Sequence, residues 1–272
     1  MKRSRFTRYF SHRGRRPHAV PMAHRFGTPI LLPLILVLGS VFAGTGYLVL
    51  PSAYSSQAFM LLAALGASLA RLFIAYAISL VLGIALGLLA ERGRRLESAL
   101  LPIFDVLESM PVLAFFPVLI LLFLHAGFLE GAAIFIIFFS MVWNIAFSVV
   151  GGMKQIPADV RAIGRVFGMT WWQRLKEIYL PALFPSILTG SILALAQGWN
   201  IVIVAEALHA YAPQSANAHD LFGIGSIVVS ASTTGQNALL VSAMLLLVIT
   251  ITLVNLFVWQ PLLAHAERYK FE

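Results

Sequence analysis

The sequence contains no cysteine, which excludes disulfides, thiolate metal ligands and cysteine nucleophiles. Charge is scarce as well: 11% of residues are charged, against about a quarter in soluble domains. None of the four lysines, Lys2, Lys154, Lys176 and Lys270, follows a glycine, so the Gly-Lys-Ser/Thr loop that cradles phosphates is absent. His12, His18, His24, His125, His209, His219 and His265 form no His-Glu-x-x-His or other close ligand pair. There is no Gly-x-Ser-x-Gly nucleophile elbow either. These absences argue against an enzyme, a metal centre or a nucleotide motor within this chain.

What the sequence has instead is apolar length. Hydrophobic residues make up 60% of the chain, and the mean hydropathy is +0.88, so it reads as an all-α integral membrane protein. A bilayer crossing needs about 20 apolar residues. Five runs meet that length without interruption: Pro29 to Leu50, Leu72 to Ala90, Ala132 to Gly152, Leu183 to Ala205 and Leu239 to Trp259. A sixth, Ile103 to His125, contains Asp105, Glu108, Pro111 and Pro117. It reads as a span with a wet, kinked cytoplasmic end, since neighbouring helices re-satisfy a broken backbone. Six transmembrane helices are expected.

Cytoplasmic loops are enriched in Lys and Arg. With the N-terminus inside, eighteen of the nineteen basic residues fall on the inner side, and Arg71 alone falls outside. The net charge of +8 is thus a topology signal, predicting N-in, C-in. The basic tail of residues 1–28 has too long a charged region for a signal peptide. It suits an uncleaved anchor beside anionic lipid better than a nucleic-acid arm, so no nucleic-acid partner is expected.

One stretch between two spans departs from the apolar pattern: "RAIGRVFGMTWWQRLKEIYLP", residues 161–181. Pro157 suits the first turn of a helix, in which Val160, Ile163, Val166 and Phe167 share a side away from Asp159, Arg161 and Arg165. Gly168 suits a left-handed helix end. Thr170 with Gln173 has capping-box spacing, so a second helix should start there, with Trp171, Trp172, Leu175, Ile178 and Tyr179 as its apolar stripe. Leu180-Pro181 is expected to end it. Such a pair of helices can lie on the inner leaflet as an anchor, or present a docking surface to a cytoplasmic partner.

Polar residues within the apolar runs are the candidates for a solute pathway, because such groups usually face a bundle interior or a cavity. Gln197, Trp199, Asn200 and Glu206 fall on one span, with 199, 203 and 206 on a common face. Glu206 also admits simple solvation near the outer end. Arg71 reads either as a pathway residue or as an arginine snorkelling to outer headgroups. Trp143 and Asn144 admit the same readings as these, with interhelical hydrogen bonding favoured, and Asp105 and Glu108, three apart, suit hydration or pairing along a helix.

The spacing Gly168, nine residues, Ile178, one residue, Leu180-Pro181 resembles the cytoplasmic loop signature of permease subunits of binding-protein-dependent ABC importers. Where that signature has Glu-Ala-Ala, this chain has Ala162-Ile163-Gly164, so the acid is missing. The fragments at 68–89, 101–121, 197–208, 223–228 and 267–272 extend the resemblance to the nitrate, sulfonate/taurine and bicarbonate branch of these permeases. The resemblance implies a permease core at 59–264 with a coupling loop at 153–182, after the tail at 1–28 and a first span and outer loop at 29–58, and before a C-terminal tail at 265–272. It further implies a bacterial inner-membrane location and a solute-binding protein. It implies, too, a second permease copy, identical or paralogous, to complete the pathway, and separate ATPase subunits that carry ATP and Mg and are expected to dock on Pro157, Arg161, Ala162, Gly164, Arg165, Gly168, Trp171, Trp172, Ile178, Leu180 and Pro181. This chain itself is expected to bind no cofactor.

Two other classes fit parts of the pattern. A secondary transporter would explain six spans, but calls for internal repeats and midplane acids. A membrane scaffold would explain the docking loop without a pathway.

Overall fold

The computed structural model describes residues 55–208 and 220–266, and every regular element among them is a helix. In chain order these are α1 (Ser55–Ala90), α2 (Arg94–Ser109), α3 (Val112–His125), α4 (Leu129–Gln155), α5 (Ala158–Val166), α6 (Trp171–Glu206), α7 (Ile224–Thr233) and α8 (Asn237–Ala266). The predicted span Pro29 to Leu50, the N-terminal tail and residues 267–272 of the C-terminal tail lie outside the described residues. Of the other five predicted spans, four are helices long and apolar enough to cross a membrane: α1, α4, α6 and α8.

The interrupted span differs from expectation. Ile103 to His125 is not one kinked helix but the end of α2 and the whole of α3, whose axes meet at 84°. The cause is local. The residue before a proline is driven out of the helical region, and Met110 before Pro111 is accordingly extended, with ψ 132°. Pro102 and Pro117, by contrast, sit inside their helices.

Another proline also behaves differently from the sequence reading. Leu180-Pro181 does not end a helix, because α6 runs on from Trp171 to Glu206. A proline in a helix clashes with the carbonyl four residues back. Here a π-helical turn at Leu175–Tyr179 precedes Pro181, and the Leu180 N–H reaches the Leu175 carbonyl, five residues back. Pro261 in α8 is handled in the same way, after a π turn at Asn255–Trp259 in which the Gln260 N–H donates to the Asn255 carbonyl. In both cases the wider turn lets the helix continue through the proline.

Helix α4 is the centre of the bundle and packs along both α1 and α6. Ile137, Met141, Ile145 and Val149, four apart on one stripe, are all fully buried. Lipid tails are as apolar as leucine, so close packing rather than the hydrophobic effect must hold such helices together. Gly83 and Gly87 supply that closeness in α1: a Cβ on either would lie 2.8 Å from Ile145 or 2.7 Å from Val149. The peripheral helix is α8, with 17% of its apolar window buried against 56% for α4.

Helix α1 is longer than its predicted span. Arg71 interrupts the apolar run at its outer end, yet the helix begins at Ser55. Its charge is met within the protein, as described next.

Candidate functional site

Three arrangements carry chemistry. The first is the turn between α5 and α6. Pro157 directly precedes α5, and its carbonyl accepts the Arg161 N–H at 3.1 Å. Gly168 has φ +62°, and the Met169 N–H bonds back to the Gly164 carbonyl at 2.9 Å, the six-to-one closure of a Schellman end. Thr170 and Gln173 form the reciprocal capping box at the start of α6.

The side chains of this turn divide in two. Trp171 faces inward, with the Arg92 guanidinium 5.2 Å and the Arg174 guanidinium 5.9 Å from its ring centroid and the Tyr179 ring at 5.8 Å. Ile178 packs against the core. Gly164 is covered by the Arg174 stem, which a Cβ would meet at 2.7 Å, so a small residue at 164 brings the two helices together. On the outside, Ile163, Val166, Phe167 and Trp172 are all exposed, Val166 by 80% and Trp172 by 75%. Arg161 lines a shallow cavity with Ala158, Arg174 and Tyr179. Ala162 is half-buried and Leu180 exposed.

Beside the turn, Lys154 at the end of α4 pairs with Glu97 in the first turn of α2 at 2.7 Å. Glu91, just past α1, is half-buried, and its Oε1 has no hydrogen-bond partner among the described residues. Burial, and then the charge of Glu97, push its carboxyl above the ordinary range, although Lys154 and Arg161 pull the other way.

The second arrangement lies at the opposite end of these helices. Arg71 is not open to solvent: it is 6% exposed and bound on three sides. Its Nε and Nη2 donate to the two oxygens of Glu130 at 2.6 and 2.8 Å, a bidentate fork. Its Nη1 donates to Glu206 Oε1 at 2.8 Å and to the Phe222 carbonyl at 3.0 Å. Nor is Glu206 solvated, being fully buried. Its second oxygen accepts the Gly225 N–H at 2.8 Å, and the neighbouring Ile224 N–H goes to Ser68 Oγ at 2.9 Å. These are donors of the first turn of α7, where the helix dipole also favours a carboxylate. Gly223 lies so close to the Glu206 carboxylate that a Cβ there would collide with it. The cluster therefore joins α1, α4, α6 and α7.

The third arrangement is a cavity of about 380 Å³ at the break between α2 and α3, lined by Glu108, Pro111, Ser140, Trp143, Asn144 and Gln197 among others. The four polar candidates of α6 diverge here. Gln197 faces this cavity. Trp199 lines a separate apolar groove with Tyr76 and Trp259. Asn200 is exposed, and its Nδ2 donates to the Ala196 carbonyl of its own helix at 2.9 Å. Glu206 belongs to the ionic cluster. Trp143 lines the cavity while its ring is held against Phe104 and Phe139. It is 7% exposed, and its Nε1–H has no partner among the described residues. Asn144 donates weakly to the Ser140 carbonyl at 3.4 Å.

Sequence reading gave no role to Glu130 or to the glycines beside Glu206. The signal available was charge matching, since Glu130 and Glu206 both stand at span ends on the side where Arg71 is the lone base. Among the described residues, no group of three or more His, Asp or Glu side chains is placed to hold a metal ion.

The comparisons with known proteins agree with this architecture. Over 142 residues, 52% of this chain and 50% of the relative, the chain is 35% identical to the nitrate import permease protein NrtB of Synechocystis sp.. It is 35% identical to the bicarbonate transport system permease protein CmpB of Synechococcus elongatus over 140 residues, 52% of this chain and 49% of the relative. The chain thus spans about half the length of these curated relatives. Its fold is similar to that of a chain in an inward-facing MetNI methionine ABC transporter, with a TM-score of 0.63, 19% identity and coverage of 82% of this chain and 100% of that one. Residues 79–260 match the family described as the binding-protein-dependent transport system inner membrane component. With more than half of its length inside that match, the chain belongs to this family of ABC importer membrane components.

Proposed function

We propose that the chain is the permease subunit of an ATP-driven importer in a bacterial inner membrane, contributing half of a pathway for a small solute. The observation that carries this reading is the turn at Gly168. It is a doubly capped, left-handed corner that holds Ile163, Val166, Phe167 and Trp172 out of the protein. Exposed apolar side chains on a rigid corner suit a protein groove better than water. Arg161 and Arg174 stand beside them to meet acidic side chains of the partner. The partner is an ATPase that carries ATP and Mg, and this chain holds neither.

The same reading supplies the remaining parts. A solute-binding protein delivers the solute from outside, and a second permease copy, identical or paralogous, closes the pathway. The spans number six, with both termini inside, once Pro29 to Leu50 is counted. Relatives named for nitrate, bicarbonate, sulfonate and taurine import support a small anion such as nitrate, a sulfonate or bicarbonate as the solute.

Reconstitution tests the proposal. The permease purified with its ATPase, supplied with binding protein and ATP, should accumulate solute in liposomes. The permease alone, without ATP, should not. Transport by the lone chain without ATP would favour a secondary transporter instead.

A further inference from the structure

The corner at Gly168 is rich in base and short of acid. Residues 157–181 carry Arg161, Arg165, Arg174 and Lys176 against Asp159 and Glu177, and alanine stands at 162 where the loop signature has its acid. Arg161 of α5 and Arg174 of α6 line one cavity of about 370 Å³ with Ala158 and Tyr179. Both arginines remain partly exposed. Lys154 beside the turn is matched by Glu97, whereas neither arginine has an ion pair among the described residues. Glu91 attracts Arg161 only from a longer range. Two guanidinium groups on one recess repel each other, and an anion between them removes that repulsion.

The recess is built before any partner arrives. The Arg174 stem lies over Gly164, where a Cβ would meet it at 2.7 Å. Its Nε is buried, and its guanidinium stands 5.9 Å from the Trp171 ring centroid. An arginine held in this way loses little rotamer freedom on binding, and its planar fork matches a carboxylate with two parallel hydrogen bonds. On the same corner Ile163, Val166, Phe167 and Trp172 are exposed. Covered by a protein groove, they would exclude water and strengthen an ion pair beside them.

The geometry points to one acidic side chain of the ATPase, an aspartate or glutamate, that enters this recess and pairs with Arg161 and Arg174 together. The acid of the contact then belongs to the motor and the bases to the permease. This rests on the permease reading and specifies the group by which its partner is held.

Zero-length crosslinking of the permease–ATPase complex in lipid nanodiscs tests it. A water-soluble carbodiimide activates a carboxylate, a touching amine displaces the activated group as a urea, and an amide remains; arginine does not react. Arg161→Lys and Arg174→Lys each place an amine in the recess and keep its charge. Both variants should link to the same Asp or Glu of the ATPase, read by peptide mass spectrometry, in a link that wild type lacks despite its Lys154 and Lys176. Arg161→Gln and Arg174→Gln should each weaken ATPase binding at least about tenfold, against roughly fivefold at most for an exposed pair. The loss should be equal in neutral and anionic nanodiscs. The lysine variants should retain most of the binding, which separates a lost pair from a misfolded corner. No link from either variant, links to Glu91 alone, or normal binding by both glutamine variants would overturn the proposal. So would a loss confined to anionic nanodiscs, which would make the anion a lipid phosphate. If wild type binds the ATPase and imports solute with ATP in any of these cases, only the recess assignment fails. If wild type neither binds the ATPase nor imports with ATP, the permease reading fails.

Discussion

Arg71 and Glu206 are 135 positions apart in the chain, yet the guanidinium of one donates to the carboxylate of the other at 2.8 Å, with both side chains almost wholly removed from solvent. Breaking such a pair leaves a buried charge unmatched and typically costs about 3–5 kcal/mol. Arg71→Gln should therefore lower the thermal stability of the detergent-solubilised permease sharply. Its effect on uptake should be the same at low and high ionic strength, because two carboxylates already neutralise the guanidinium charge. A slowing confined to low salt would restore the role of a long-range attractor.

At the other end, Gly168 has φ +62°, and a Cβ there would meet nothing within 4 Å. Any penalty for substitution thus comes from the backbone alone, about 1–3 kcal/mol for a β-branched residue. Gly168→Val should leave the permease inserted but lose the ATPase from the purified complex, or uncouple ATP hydrolysis from uptake. Gly168→Asn, whose side chain tolerates the left-handed region, should retain most of both. Equal behaviour of the two variants would remove the conformational explanation.

Helices α1 and α4 touch at Gly87, where a Cβ would come within 2.7 Å of Val149. Gly87→Val should separate the helices and destabilise the permease by about 1–3 kcal/mol. A Val149→Ala change added to it should recover part of the loss. Unfolding of the purified protein by mixed-micelle denaturant would measure both.

The half-buried Glu91 offers a pH signature. A carboxyl raised in the folded state above its ordinary 4.5 binds its proton more tightly folded than unfolded. Stability therefore falls as pH rises from about 4.5 through the folded value. Glu91→Gln should flatten this dependence and make the protein slightly more heat-stable at neutral pH, as read from melting curves between pH 4 and 8.

Orientation can be checked by labelling. A cysteine at Ser55 should react with an impermeant thiol reagent from outside the cell, and one at Gln155 should not. Outside labelling at Gln155 would reverse the charge-based topology.

How legible these features are depends on how local their causes are. Pro157, Gly168 and the Thr170–Gln173 box act on their own backbone, so the corner could be placed from sequence and the structure has it there. Met110-Pro111 announces a break, but an 84° angle depends on what the two halves pack against. Gln197, Trp199 and Asn200 illustrate the opposite limit. Successive residues turn about 100° around a helix, and α6 is apolar nearly all round, so hydropathy could not say which face met a cavity. The ionic cluster was least accessible, because Arg71 and Glu130 are 59 positions apart and neither has a local partner. Pro181 misled for a different reason: its usual effect as a terminator was cancelled by the wide turn before it.

That cancellation has a mechanical consequence. Since α6 is continuous over 36 residues, it is a rod of about 54 Å at 1.5 Å per residue, with the Thr170 cap at one end and Glu206 at the other. A swing of about 5° about its midpoint displaces each tip by about 2 Å, more than the spread of distances over which a hydrogen bond survives. A push on the corner at Gly168 would therefore reach Arg71 as a tug on the Glu206 carboxylate that it binds. The distant salt bridge becomes a latch that the rod can spring, and no hinge along its length need bend to do it.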